Sequence, residues 1–80
     1  MLKAKLIEEI ESILLKNDSM PVGAVKTFRD VVLRELDQYD LKRILVRWHR
    51  RQRPRFTYKE LAERYFLTER QCTYMCRDIR

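Results

Sequence analysis

The sequence predicts an all-α fold of about five helices in one domain. Only one Gly and two Pro occur in 80 residues, so few positions favour sharp turns. Apolar residues recur at three- and four-residue intervals along most of the chain, which is the spacing of one face of a helix. Hydrophobic residues make up 45% of the chain, enough for a single folded domain of this length.

Two helices are predicted in the acidic N-terminal region, residues 1–37. Six apolar residues mark the first helix: Leu2, Leu6, Ile7, Ile10, Ile13 and Leu14. A break follows, in which Asp18 or Ser19 is the candidate cap of the next helix. Four apolar residues mark that second helix, and Val31 widens its face: Val25, Phe28, Val32 and Leu36. Because the apolar face of the first helix is long, with Ile10, Ile13 and Leu14 along its middle, we expect part of it to contact a second subunit in a homodimer. In the alternative, the helix folds back to cover Phe28, Val32 and Trp48 and the protein is a monomer.

A third helix is predicted to begin after residue 37 and to support the C-terminal helices. Asp37 and Asp40 are its candidate caps. Its apolar stripe consists of Leu41, Ile44, Leu45 and Trp48. Pro54 cannot continue a helix, and arginines surround it. We therefore expect the helix to end before Pro54 and residues 48–55 to be the most flexible segment.

Residues 58–79 contain a pattern of two short helices joined by a tight turn. Each helix has a capping box, in which a threonine side chain and the Glu or Gln side chain three residues later bond to each other's backbone N–H groups. The boxes pair Thr57 with Glu60 and Thr68 with Gln71. Five residues fall where crossed helices bury side chains against each other: Leu61, Tyr65, Leu67, Cys72 and Met75. Ala62 falls where the two backbones are expected to come closest.

Positive charge is concentrated in the half of the chain that contains this pattern. Residues 1–40 hold six Lys and Arg against eight Asp and Glu, a net charge of −2, whereas residues 41–80 hold twelve against four, a net charge of +8. Such a field attracts polyanions and speeds encounter with phosphate backbones. Membrane surfaces are also anionic, so charge alone does not select the partner.

Residues 58–79 resemble the helix-turn-helix of bacterial and phage transcription regulators. The run Glu-Leu-Ala-Glu-Arg-Tyr-Phe-Leu-Thr-Glu-Arg-Gln at residues 60–71 is most similar to the C-terminal motif of the phage Mor/C activators, with sigma-factor region 4 close behind. The resemblance implies a trihelical unit over residues 38–80 that binds duplex DNA. Phe66 occupies the turn position at which such motifs often have Gly, so either the turn is more open than usual or Phe66 is anchored in the core.

The resemblance also implies which residues contact DNA, because the second helix of such a motif enters the major groove. Within residues 69–79, four side chains that face away from the packing positions are the base-contacting candidates: Glu69, Arg70, Thr73 and Tyr74. Cationic residues are assigned to phosphates, which set affinity and orientation. They are Arg50, Arg51, Arg53, Arg55, Lys59, Arg64, Arg77 and Arg80. Arg70 is the best base-reading candidate, since a guanidinium can donate two hydrogen bonds to guanine.

Other partners fit the same basic face. A small helical interaction or inhibitor protein would use it to bind an acidic protein, such as an RNA polymerase subunit, or RNA. Catalysis is not expected, because no Gly-rich phosphate loop, Ser-His-Asp set or carboxylate pair can be assembled from these residues. No cofactor is expected either.

The cysteines predict the redox state of the protein. Cys72 and Cys76 lie four residues apart on a predicted helix, which favours two thiols over a disulfide and a reducing, cytoplasmic location. With His49 they make three metal ligands without a fourth, so no metal site is predicted and His49 is expected to be a partly exposed structural residue. No apolar run reaches the roughly 18 residues of a membrane span.

Overall fold

A computed structural model describes residues 2–17 and 20–79 of the chain. These residues form five α-helices and one short 3-10 helix, with no strand among them. In chain order they are α1 (Lys3–Lys16), α2 (Val22–Val31), the 3-10 helix (Leu33–Glu35), α3 (Gln38–Arg51), α4 (Tyr58–Tyr65) and α5 (Glu69–Met75). The prediction of an all-α fold of about five helices is confirmed. Within the described ranges, no helix has both the length and the apolar character needed to cross a bilayer.

The chain divides into two compact units. Leu2–Leu41 forms the first, which we call the acidic unit. The described residues from 42 to 79 form the second, which we call the basic unit. The division falls within α3, so the first turn of that helix belongs to the acidic unit and the rest of it to the basic unit.

The apolar face of α1 supplies the core of the acidic unit. Leu6, Ile7 and Ile10 are buried, as are Val25 of α2 and Leu33 of the 3-10 helix. An ion pair between half-buried Arg29 of α2 and Glu11 of α1, at 3.6 Å, joins the same two helices. Ile10 is 4% exposed, whereas Ile13 and Leu14 are half-buried. Any part of this face that contacts a second subunit therefore does not include Ile10.

The second helix is shorter than its apolar spacing predicts. α2 ends at Val31 and a 3-10 turn follows, in which the N–H of Glu35 donates to the carbonyl oxygen of Val32 at 3.1 Å. A 3-10 turn has three residues rather than 3.6, so the buried position moves to Leu33 while Val31 and Val32 stay exposed. The cap candidates Asp18 and Ser19 lie outside the described residues.

The cap of α3 is the carboxylate of Asp37, whose Oδ1 accepts a hydrogen bond from the N–H of Asp40 at 2.8 Å. Of the predicted apolar stripe, Leu41 and Leu45 are buried and Trp48 is half-buried. Ile44 is exposed, so the prediction is wrong there, and Val46 is buried instead. The buried arc of α3 is therefore rotated toward the side on which Val46 lies, since residues two positions apart point about 200° away from each other around a helix.

Candidate nucleic-acid interface

Both predicted capping boxes are present in the basic unit. The hydroxyl of Thr57 accepts from the N–H of Glu60 at 3.1 Å, and the Glu60 carboxylate accepts from the N–H of Thr57 at 3.1 Å. The same exchange joins Thr68 to Gln71, at 3.1 and 2.9 Å. The two hydrogen bonds of each box fix the residue at which α4 or α5 begins. A turn of three residues lies between the two helices.

The inner faces of α4 and α5 form the core of the basic unit. The predicted packing residues Leu61, Tyr65, Cys72 and Met75 are buried, as is Ala62. Leu67 is only half-buried. The face of α5 opposite this core is thereby left for solvent or a partner.

Both cysteines are buried free thiols, which confirms the prediction of thiols rather than a disulfide. Burial raises the pKa of each thiol above its ordinary value. The burial of Cys76 was not foreseen as part of the core, because Cys76 lies one residue beyond the end of α5.

Phe66 forms the turn between α4 and α5 in the left-handed conformation, at φ 56° and ψ 47°. Its N–H and that of Leu67 both donate to the carbonyl oxygen of Ala62, the latter at 2.9 Å. The ring is 72% exposed. The alternative in which Phe66 is anchored in the core is therefore wrong, because it is Leu67, the next residue, that turns inward.

The four base-contacting candidates share the outward face of α5. Glu69, Arg70, Thr73 and Tyr74 are all exposed. The hydroxyl of Thr73 donates to the carbonyl oxygen of Glu69 at 2.8 Å, so its hydrogen is used within the helix. The second helix of the motif was expected to run to about residue 79, but α5 ends at Met75. Arg77 therefore lies in the following turn, with its guanidinium 5.0 Å from the centroid of the Tyr74 ring.

Arg47 fixes the C-terminal end of α5. Its guanidinium donates to the carbonyl oxygen of Met75 at 2.9 Å and to both carboxylate oxygens of Asp78, at 2.6 and 3.0 Å. Hydrogen bonding from Arg47 lowers the pKa of Asp78 to about 2. Sequence reasoning missed this pair, since Arg47 lies in α3 and no local spacing connects it with a residue 31 positions later.

Among the predicted phosphate-contacting residues, Arg50 bonds within the protein. It donates to the carbonyl oxygen of Phe56 at 2.8 Å, and its guanidinium lies 4.1 Å from the centroid of the Tyr58 ring. These contacts connect α3 with the start of α4 across the segment that contains Pro54. Arg50 therefore holds this segment in place.

The other predicted phosphate-contacting residues are arranged as follows. Arg51, Arg53, Lys59, Arg64 and Arg77 are exposed, and Arg55 is half-buried. Arg53 donates to the carbonyl oxygen of Gln52 at 3.0 Å, and Arg64 donates to the hydroxyl of Tyr65 at 3.3 Å. Arg80 lies outside the described residues. The exposed cations are spread over the end of α3, the segment between α3 and α4, α4 itself and the turn after α5.

His49 belongs to an aromatic cluster. Its Nε2 lies 2.8 Å from the hydroxyl of Tyr65, and its ring stacks on Phe56 with centroids 4.8 Å apart and meets Trp48 edge-on at 5.0 Å. Half-buried His49 thus has the structural role expected for it. The described residues contain no group of three or more His, Cys, Asp or Glu side chains placed to hold a metal ion.

Comparison with family models, curated proteins and solved structures finds no match for this chain. The functional argument therefore depends on the residues themselves. The outward face of α5 is exposed and polar, and the surrounding sequence is strongly basic. Among the described residues, every buried polar side-chain atom has a hydrogen-bond partner.

Proposed function

We propose that this protein binds duplex DNA in a sequence-specific manner and acts as a small transcription regulator of phage, plasmid or bacterial type. The observation that carries the proposal is the outward face of α5, where Glu69, Arg70, Thr73 and Tyr74 are exposed together. A helix of this kind can lie in the major groove, which is wide enough to admit it. Its N-terminal residues would then contact the base edges, as in a helix-turn-helix.

Each side chain on this face can be matched to a chemical group of DNA. Arg70 donates two hydrogen bonds to guanine, and Glu69 accepts one from cytosine. Thr73 uses its hydroxyl hydrogen within the helix, which favours contact between its methyl group and thymine. Tyr74, stacked with Arg77, contacts a phosphate or a base edge at the far end of the helix.

The phosphate contacts are assigned to exposed cations. Arg51, Lys59 and Arg77 can reach a backbone without losing a hydrogen bond of the kind that holds Arg50 to Phe56. Arg53 would exchange its bond to the carbonyl oxygen of Gln52, the preceding residue, for one to a phosphate. Contacts of this type set affinity and orientation and do not depend on sequence. Arg50 would therefore affect DNA binding indirectly, by holding the segment between α3 and α4 in place, and would not contact a phosphate itself.

A homodimer would strengthen recognition, since two copies of α5 would read half-sites about 34 to 36 Å apart. With Ile10 buried, its interface would have to use the aliphatic side chains that stay exposed on the acidic unit. These are Leu2, Leu15, Val22, Val31 and Val32. RNA polymerase is the further partner that a transcription regulator would contact.

A second function is favoured by one observation, the exposed ring of Phe66. Exposed aromatic side chains frequently anchor protein interfaces. In this alternative the basic unit binds an acidic protein, or RNA, and the protein acts as an interaction or inhibitor protein.

Selection of bound duplexes from a random pool tests the proposal. The wild-type protein and Arg70→Ala are used in parallel, at physiological salt, with a pool of duplex RNA as the comparison. We expect the wild type to enrich one DNA motif and Arg70→Ala to relax it at a single base pair. Retention of RNA over DNA would favour the RNA alternative, and absence of any enriched motif would contradict sequence-specific binding.

A further inference from the structure

Phe66 combines a left-handed backbone with an exposed ring. A left-handed backbone costs a residue with a side chain roughly 1–2 kcal/mol, whereas Gly adopts it freely. The ring does not recover this cost by burial, since 72% of the residue is exposed. An exposed aromatic ring on a backbone of this cost points to a contact outside the chain.

The backbone around Phe66 is well fixed. The N–H groups of Phe66 and Leu67 bond to the carbonyl oxygen of Ala62, and the capping box of Thr68 begins two residues later. Only Leu67 and Thr68 lie between Phe66 and Glu69, so the Cα atoms of Phe66 and Glu69 are at most about 11 Å apart. The ring therefore lies close to the first turn of α5, where base contacts are proposed.

The surroundings of Phe66 favour a small apolar target. Its neighbours along the chain include the exposed charged residues Glu63, Arg64, Glu69 and Arg70. Anchors of protein interfaces are usually ringed by contacts that exclude water, and charged neighbours serve this poorly. The major groove instead offers a single apolar group, the C5-methyl of thymine, with which Phe makes contact.

We propose that Phe66 contacts the methyl group of a thymine beside the base pairs that α5 reads, and so contributes to sequence specificity. This inference rests on the proposed binding of duplex DNA. The thymine contact, made from the turn, would add to the base contacts that α5 makes. It would also explain why an aromatic residue occupies a position that favours Gly.

Uracil substitution tests the contact directly. Each thymine of a selected duplex is replaced in turn by uracil, which removes only the methyl group and keeps every hydrogen-bonding group. Besides any thymine that Thr73 contacts, we expect one further replacement near the α5 contacts to weaken wild-type binding about fourfold, the value of one buried methyl group. Phe66→Asn, which tolerates the left-handed conformation, should bind the thymine and uracil duplexes equally.

Two control variants make the result specific. Thr73→Ser removes the other methyl-contacting candidate and should keep the effect at the thymine that Phe66 contacts. Tyr39→Asn removes an exposed aromatic side chain of the acidic unit and should behave as wild type. Circular dichroism checks that each variant keeps its helices, with Phe66→Gly as a second variant for the turn.

The outcomes separate this inference from the proposed function. Duplex binding without a uracil effect, or with the same effect in Phe66→Asn, would overturn the thymine contact and leave DNA binding intact. The exposed ring of Phe66 would then be assigned to a protein interface. Failure of the wild type to bind any duplex would overturn both.

Discussion

At the scale of single residues, Arg70 separates recognition from stability. It is exposed on the first turn of α5, so Arg70→Ala should leave the free energy of unfolding within about 0.5 kcal/mol of wild type. The same change should remove about 1 to 3 kcal/mol of discrimination at one base pair. Denaturant unfolding and competition binding with single-base variants of a selected duplex measure the two effects.

Arg77→Ala is the matched control for this prediction. Arg77 is also exposed but follows the end of α5, so its loss should weaken binding to all duplexes alike. An Arg70→Ala protein with lower stability and unchanged binding would show that Arg70 belongs to the packing and not to the reading face.

The pair of Arg47 and Asp78 predicts a dependence of stability on acid pH. The folded-state pKa of Asp78 is about 2, below its ordinary value of 3.8. A carboxyl group whose pKa is lowered by folding stabilises the protein above its unfolded-state pKa, and this contribution is lost as the pH falls through the folded-state pKa. We expect the urea midpoint of wild type to exceed that of Asp78→Asn at pH 5.5, with the difference shrinking between pH 4 and pH 2.

Arg47→Met provides the control for the pH experiment. It removes the hydrogen bonds that lower the pKa of Asp78, so adding Asp78→Asn to it should change the urea midpoint little at any pH in this range. An equal loss from Asp78→Asn with and without Arg47 would contradict the coupling.

At the scale of elements, the capping boxes are expected to stabilise α4 and α5 separately. Thr57→Ala and Thr68→Ala should each lower the free energy of unfolding by about 1 kcal/mol, since each removes a cap. Thr27→Ala is the control, because Thr27 lies within α2 and its hydroxyl bonds only to the Gly23 carbonyl of the same helix. Losses from the cap variants no greater than that from Thr27→Ala would show that the boxes contribute little.

The helices could be predicted from the sequence because their signals are local. Capping boxes at Thr57 and Thr68 and the apolar spacing of α1 each lie within a few residues of the structure they specify. Buried Leu33 and Val46 could not be predicted in this way, since their burial depends on how a helix ends or rotates against its neighbours. Tertiary packing thus decides which residues of a helix face the core.

The candidate site shows the same limit. The exposed face of α5 follows from the positions of its buried residues and was predicted. Contacts between distant residues, such as Arg47 with Asp78 and His49 with Tyr65, carry no sequence signal. The unusual place of Phe66 in the turn was recognised from the sequence, but the combination of a left-handed backbone with an exposed ring was not predicted.

At the scale of the whole molecule, two substitutions in the acidic unit distinguish its core from a dimer interface. Ile10→Glu should unfold this unit at every protein concentration, because it places a charge at a buried position. Val31→Glu should keep the fold, since Val31 is exposed, and should shift a dimer toward monomer. Sedimentation equilibrium and circular dichroism measure these effects.

Each variant has an outcome that would contradict its role. A folded Ile10→Glu monomer would show that this face is not required as core. A Val31→Glu protein with the same mass as a dimeric wild type would exclude Val31 from the interface.

The salt dependence of duplex binding tests most directly whether the basic unit binds DNA. If about four to six phosphates are neutralised, log K should fall with log salt concentration with a slope near −4 to −5. Alanine at both Arg51 and Arg53 should make the slope shallower by about 2, whereas Lys26→Ala in the acidic unit should not change it. Fluorescence anisotropy with a labelled mixed-sequence duplex between 50 and 200 mM salt gives the slope. The predicted result is a slope near −4 to −5 that depends on Arg51 and Arg53, and a flat response would contradict binding to DNA.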